Sequence, residues 1–146
     1  MKGEPITLLL VEDDPAHAEI VRRNLERARV VNRLMIVTDG QEALDYLRRQ
    51  GRYAAPASSP VPNLVLLDLR LPKIDGLEVL QTIKSDPELS VIPVVIMTTS
   101  AAETDIVRAY QNRANSYVVK PLDLAQFTEL MDLLGYYWLV WNEVPY

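Results

Sequence analysis

The sequence predicts an α/β chain built on one parallel sheet. Five short apolar runs alternate with stretches of helical periodicity along 146 residues. The runs are apolar throughout rather than alternating, as strands buried on both faces are. Their C-terminal ends carry Glu12-Asp13, Asp68, Thr98 and Lys120, and open parallel sheets bind ligands at that edge.

Ile6-Thr7-Leu8-Leu9-Leu10-Val11 reads as the first strand and ends on Glu12-Asp13-Asp14. Asp14 suits an N-cap, and Pro15 suits the first helical position. The helix is expected to run to about Arg29. Ile20, Val21, Leu25 and Ala28 give it a buried stripe, with Arg22, Arg23 and Arg27 on the wet side. Leu34-Met35-Ile36-Val37 is the second strand. Thr38-Asp39-Gly40 turns the chain into a helix carrying Ala43, Leu44 and Leu47.

Residues 51–62 hold three prolines and have the composition of a loop. A loop this long inside a compact domain is functional or mobile. Leu64-Val65-Leu66-Leu67 then leads to Asp68, and Asp75-Gly76 starts a helix through Leu77, Val79, Leu80 and Ile83. That helix should stop near Asp86, because Pro87 disfavours helical backbone before it. Pro93-Val94-Val95-Ile96-Met97 is the fourth strand and runs into Thr98-Thr99-Ser100. Ser100 with Glu103, and Asp123 with Gln126, are spaced as capping boxes for the last two helices. Between those helices, Ser116-Tyr117-Val118-Val119 is the fifth strand, ending on Lys120-Pro121. Right-handed crossovers and five strands select the flavodoxin-like, doubly wound (βα)5 order 2-1-3-4-5.

Composition narrows the function. Half the chain is apolar (49%) and a quarter charged (24%), which is ordinary for a soluble globular domain. The absence of cysteine removes disulfide and thiolate chemistry and fits a cytoplasmic location. No apolar run is long enough to span a membrane. A net charge of −5 argues against a nucleic-acid footprint.

In the expected topology, Glu12, Asp13, Asp68, Thr98 and Lys120 gather at one edge. Clustered carboxylates repel, so positive charge must sit among them. Hard oxygen ligands without His or Cys favour Mg2+ or Mn2+ over zinc. Lys120 supplies a further point charge, and Thr98 a hydroxyl. Thr98 is preferred to Thr99 because it directly ends the apolar run. The set suits phosphoryl transfer, with Asp68 on the middle strand as nucleophile.

Four segments together resemble the receiver domain of two-component response regulators over essentially the whole chain. They are Leu9-Leu10-Val11-Glu12-Asp13-Asp14, Leu66 through Gly76, Pro93 through Thr98, and Tyr117-Val118-Val119-Lys120-Pro121. The resemblance implies that Asp68 accepts a phosphoryl group from a kinase phosphohistidine. It implies Mg2+ on Asp13, Asp68 and the backbone carbonyl of Arg70, with Glu12 acting partly through water. Thr98 and Lys120 would contact the phosphoryl group, Tyr117 would be the aromatic switch, and the bond before Pro121 would be cis. The first acid is Glu where many receivers have Asp. The only catalysis implied is of the protein's own phosphorylation and dephosphorylation.

The Thr98-Thr99-Ser100 triplet, the proline-containing loop and an aromatic C-terminus resemble, more narrowly, the single-domain regulators that work with bacterial and cyanobacterial phytochromes. The partner there is a light-sensing histidine kinase.

Residues 1–134 suffice for such a domain, leaving 135–146 as an extension with both tryptophans and three of the seven tyrosines. Tyr136, Tyr137, Trp138 and Trp141 have no core of their own to fill, which points to a homodimer through the last helix and tail. Gly135 either ends that helix or costs it roughly 1 kcal/mol. With no output domain expected, the signal would leave by protein contact or onward phosphotransfer. His17, the single histidine, is expected to be an exposed polar residue.

Two other readings stand beside this one. A phosphatase of the haloacid dehalogenase type wants a second Asp two residues after the nucleophile, where this chain has Arg70. A receiver-like binding and dimerisation module would keep the fold without phosphorylation. A P-loop NTPase is excluded, since no Gly-x-x-x-x-Gly-Lys run is present.

Overall fold

A computed structural model describes residues 6–27, 32–55 and 59–137. The strands are β1 (Ile6–Val11), β2 (Asn32–Val37), β3 (Leu64–Leu67), β4 (Val94–Thr98) and β5 (Ser116–Val119). The helices are α1 (Pro15–Arg27), α2 (Gly40–Arg48), α3 (Gly76–Ser85), α4 (Glu103–Gln111) and α5 (Leu124–Tyr136). All strand pairs are parallel and the order is β2-β1-β3-β4-β5, as the pattern predicts.

The sheet is covered on both faces, and the period of two along β1 divides the core. Leu9 and Val11 pack with Val65, Leu67, Leu80, Ile83 and Ile96 on one side. Leu8 and Leu10 pack with Val21, Leu25, Leu66, Phe127 and Met131 on the other, beneath α1 and α5. Asn24 of α1 donates to Asp132 of α5 across that second layer.

Register explains why the chemistry gathers at one edge. Val11 pairs with Leu67, so Glu12 and Asp68 follow side by side. Leu67 pairs with Ile96, and Thr98 pairs with Val119, just before Lys120. Adjacent strands lie about 4.8 Å apart, so these residues converge without any unusual backbone.

Caps were partly legible. Asp14 Oδ1 accepts from the amides of Ala16 (2.9 Å) and His17 (3.4 Å), and Asp123 Oδ1 accepts from those of Ala125 (2.8 Å) and Gln126 (3.1 Å). The box expected from Ser100 and Glu103 does not form: Ala102 is the N-cap of α4 and makes no side-chain cap bond. The Ser100 hydroxyl instead donates to Asp105 at 2.6 Å, a stronger charge-assisted bond. The helix does not stop at Gly135, since α5 continues to Tyr136.

The proline-containing loop is anchored among its described residues. Gly51–Tyr53 forms a 3-10 turn, and Tyr53 is buried in the core. Tyr46 donates to the Pro60 carbonyl (2.7 Å), Tyr53 to Glu42 (2.8 Å) and Ser59 to the Tyr53 carbonyl (3.0 Å).

The peptide bond before Pro121 is trans, against the expectation of cis. Trans is the intrinsically preferred isomer by about 0.5–1 kcal/mol, and Lys120 reaches the site from it.

Gly76 is required by close approach. A Cβ there would lie 2.1 Å from the Asp68 carbonyl oxygen and 2.6 Å from Leu69 Cα, both backbone atoms. Gly76→Ala should therefore displace the segment after β3 and lower unfolding free energy by roughly 1–3 kcal/mol or more. Urea denaturation checks this; a midpoint equal to wild type contradicts the steric argument.

Candidate functional site

The loop after β1 carries Glu12 and Asp13, and the end of β3 carries Asp68. One carboxylate oxygen from each lies within 4.8 Å of the others. Glu12 and Asp68 are buried, whereas Asp13 is exposed at the rim. The Asp68 amide donates to the Val11 carbonyl (3.1 Å), and its Oδ1 accepts from the Arg70 amide (3.2 Å).

Lys120 enters this acidic pocket from the end of β5. Its side chain is only 1% exposed. Nζ donates to Glu12 Oε1 and, at 2.9 Å, to Asp68 Oδ2. The Lys120 amide donates to the Thr98 carbonyl at 2.7 Å, which ties the lysine to β4. Burial of an ammonium is tolerated because two carboxylates surround it.

Burial pushes the Glu12 carboxyl up to about 7, against the pull of Lys120 and with the added repulsion of Asp68. Three carboxyl groups, of Glu12, Asp13 and Asp68, meet one lysine in this pocket. Its donor set is three carboxylates without soft ligands, which fits a hard divalent cation.

Thr98 ends β4 fully buried, and its Oγ1 accepts from the Ser100 amide at 3.5 Å. Thr99 is exposed, so the choice of Thr98 stands on burial as well as position. The partly buried Tyr117 donates from its hydroxyl to the Ser100 carbonyl at 2.9 Å, and burial raises its phenol pKa. Arg70 turns away from the carboxylates and pairs with Asp105 of α4 at 2.6 Å. Asp105 also receives the Ser100 hydroxyl, so the segment after β3, the β4–α4 loop and α4 meet on one carboxylate.

His17 corrects the sequence reading. It is not an exposed polar residue: its side chain is 17% exposed, and Nδ1 lies 3.2 Å from Lys120 Nζ. Its ring meets Phe127 edge-on, with centroids 5.3 Å apart. The missed signal was its place one helical turn beyond the acids, on the α1 face that turns inward.

The tail residues stand apart from this site. Trp138 and Trp141 lie outside the described residues, while Tyr137 is exposed at the end of α5. The arginines of α1 are paired: Arg22 and Arg23 with Glu19, and Arg27 with Asp132 at 3.5 Å.

Residues 8–132 match the response regulator receiver domain family. The chain belongs to that family.

It is 41% identical to the response regulator Rcp1 of Synechocystis over 97% of this chain and 94% of Rcp1. It is 45% identical to the probable methanogenesis regulatory protein FilR2 of Methanothrix harundinacea, over 97% of this chain and 89% of FilR2. The crystal structure of Mn2+-bound Rcp1 superposes with a TM-score of 0.92 at 39% identity, covering 97% of this chain and all of that one. The phosphorylated cyanobacterial phytochrome response regulator RcpA also gives 0.92 at 39% identity, covering 98% of this chain and all of that one. The chain is thus a response regulator receiver of the two-component type that resembles phytochrome response regulators. Its acidic pocket is of the kind that binds divalent metal. Among the described residues no helix is long and apolar enough to cross a membrane.

The Glu12 value sets a pH dependence. Between about 4.5 and about 7 the unfolded chain loses the Glu12 proton while the folded chain keeps it. Folded protein then binds more protons, so this group's contribution to stability falls as pH rises through that window. A cation on the ionised carboxylates reverses the loss. Mg2+ or Mn2+ should raise Tm more at pH 8 than at pH 5.5, and metal titration by calorimetry should show proton release near pH 6.5. A Tm increment independent of pH contradicts the Glu12 assignment.

Proposed function

We propose that Asp68 is the phosphoacceptor of this response regulator and that its donor is the phosphohistidine of a sensor histidine kinase. The observation that carries this is the buried Lys120 ammonium between Asp68 and Glu12. In transfer, the P–N bond of the phosphohistidine breaks and a P–O bond to an Asp68 carboxylate oxygen forms. Glu12, Asp13, Asp68 and the backbone carbonyl of Arg70 would hold Mg2+, which neutralises phosphoryl oxygens when bound. Lys120 would pair with the phosphoryl group, and the Thr98 hydroxyl would donate to it. Thr98 and Tyr117 both bond to Ser100, which supports a switch passing from phosphate to the β4–α4 loop.

The chain catalyses no reaction beyond its own phosphorylation and dephosphorylation. Arg70 occupies the position where a phosphatase of the dehalogenase type needs an acid, and it pairs with Asp105. The intact set of Asp13, Asp68, Thr98 and Lys120 speaks against a module that binds without phosphorylation. The protein works in the cytoplasm, and residues 1–134 form the receiver with 135–146 as its extension. The likeness to RcpA supports a kinase of the phytochrome class.

Phosphotransfer from a radiolabelled histidine kinase tests the acceptor. Asp68→Asn should lose essentially all label while wild type gains it within minutes; equal labelling of both removes Asp68 from the role. Transfer as fast from kinases of unrelated sensory type removes the phytochrome assignment alone.

A homodimer through α5 and the tail completes the reading. Leu133 of α5 is 73% and Tyr137, the C-cap of that helix, 49% exposed, four residues apart along one stripe. Two such stripes can bury each other. Light scattering should give twice the chain mass for wild type. A chain ending after Tyr137, or one with Leu133→Glu, should shift toward the single mass; an unchanged dimer in both places the interface elsewhere.

A further inference from the structure

Three N–H bonds leave the Lys120 ammonium, and each meets a protein acceptor. They are Glu12 Oε1, Asp68 Oδ2 at 2.9 Å and His17 Nδ1 at 3.2 Å. Lys Nζ carries only donors, so Nδ1 must accept, and the proton of the neutral imidazole sits on Nε2. Nε2 faces Asp14 Oδ2 at 3.7 Å, which favours that tautomer.

The three acceptors are not equivalent. Glu12 belongs to the acidic group that suits a cation, and Asp68 is the proposed nucleophile. Both must exchange their bond to Lys120 for another partner during phosphorylation. His17 has no such second task. Its ring is fixed by Phe127, fully buried on α5 and packed edge-on at 5.3 Å. The same Phe127 ring lies 6.0 Å from Lys120 Nζ. Residues from α1, α5 and the end of β5 therefore define one position for the ammonium.

We propose that His17 is a positioning residue for phosphoryl transfer. It holds Lys120 by one acceptor bond while the lysine's other two donors pass from the carboxylates to the incoming phosphoryl group. This rests on the proposed role of Asp68. Without His17 the ammonium has only carboxylates as hydrogen-bond partners and loses the fixed direction along which it meets the phosphoryl oxygens.

Two variants separate positioning from packing. His17→Leu keeps an apolar side chain against Phe127 and removes the acceptor. His17→Asn places Oδ1 close to where Nδ1 stands. With acetyl phosphate and Mg2+, the leucine variant should take label roughly tenfold more slowly, as loss of a bond to a charged group implies. The asparagine variant should recover to within about threefold of wild type. A purely structural role would leave Asn no better than Leu, and that result, or wild-type rate in the leucine variant, overturns the proposal.

An independent measurement needs no phosphorylation. The chain has one histidine, so its ring 15N signals are unambiguous. They should report the Nε2–H tautomer, and Lys120→Met should move the Nδ1 signal. An unmoved signal overturns the contact itself. If wild type takes no label at all, the Asp68 reading fails and the positioning role with it, whereas the 15N result still decides the contact.

Discussion

The arrangement depends on one buried ammonium. Lys120 Nζ sits at 1% side-chain exposure among Glu12, Asp68 and His17. Each neighbour alone would be costly to bury: two carboxylates without a cation, or a lysine without an anion. Together they are tolerated, yet three carboxyl groups, of Glu12, Asp13 and Asp68, meet one lysine, and burial lifts Glu12 to about 7. The pocket is thus stable enough to fold and electrostatically short of positive charge. That shortage is what a divalent cation can relieve.

The sheet supplies the geometry. Parallel register places Glu12 beside Asp68, and Lys120 follows the partner of Thr98. Phosphoryl chemistry needs placement within fractions of an ångström, and strands buried on both faces are stiff enough to give it. Gly76 lets the start of α3 pack directly on the Asp68 backbone. The segment after Asp68 is therefore held by main-chain contact as well as by side chains.

Beyond the pocket, a second polar group spreads toward α4. Asp105 gathers Arg70 from beyond β3 and Ser100 from the β4–α4 loop, and Tyr117 closes on the Ser100 carbonyl. Arg70 lies two residues from Asp68, and Ser100 two from Thr98. Asp68 accepts from the Arg70 amide and Thr98 from the Ser100 amide, so both residues adjoin the groups that meet Asp105. On the opposite side of the sheet, His17 and Phe127 link the same lysine to α1 and α5.

By itself the sequence determined the fold class, the strand order and which polar residues share one sheet edge. Apolar runs of strand length alternating with amphipathic helices leave few packings, and right-handed crossovers leave fewer. Asp68, Asp13, Glu12, Thr98 and Lys120 were legible because each lies at a strand end or within two residues of one. Other features required the tertiary structure because they join residues far apart in the chain. Ser100 was expected to cap α4, but the N-cap is Ala102; the Ser100 hydroxyl donates to Asp105 of α4, and its oxygen accepts from the Ala102 amide at 3.3 Å. Lys84 is buried and bonded to the carbonyls of Ser90 (3.1 Å) and Ile92 (2.9 Å), which no local pattern announces. The bond before Pro121 is trans, a choice that local sequence leaves to a small energy difference. His17 looked like a surface residue because helical periodicity does not say what an adjoining strand end will project. Only the meeting of α1 with β5 and α5 brings its imidazole to the lysine, and the folded arrangement alone decides that.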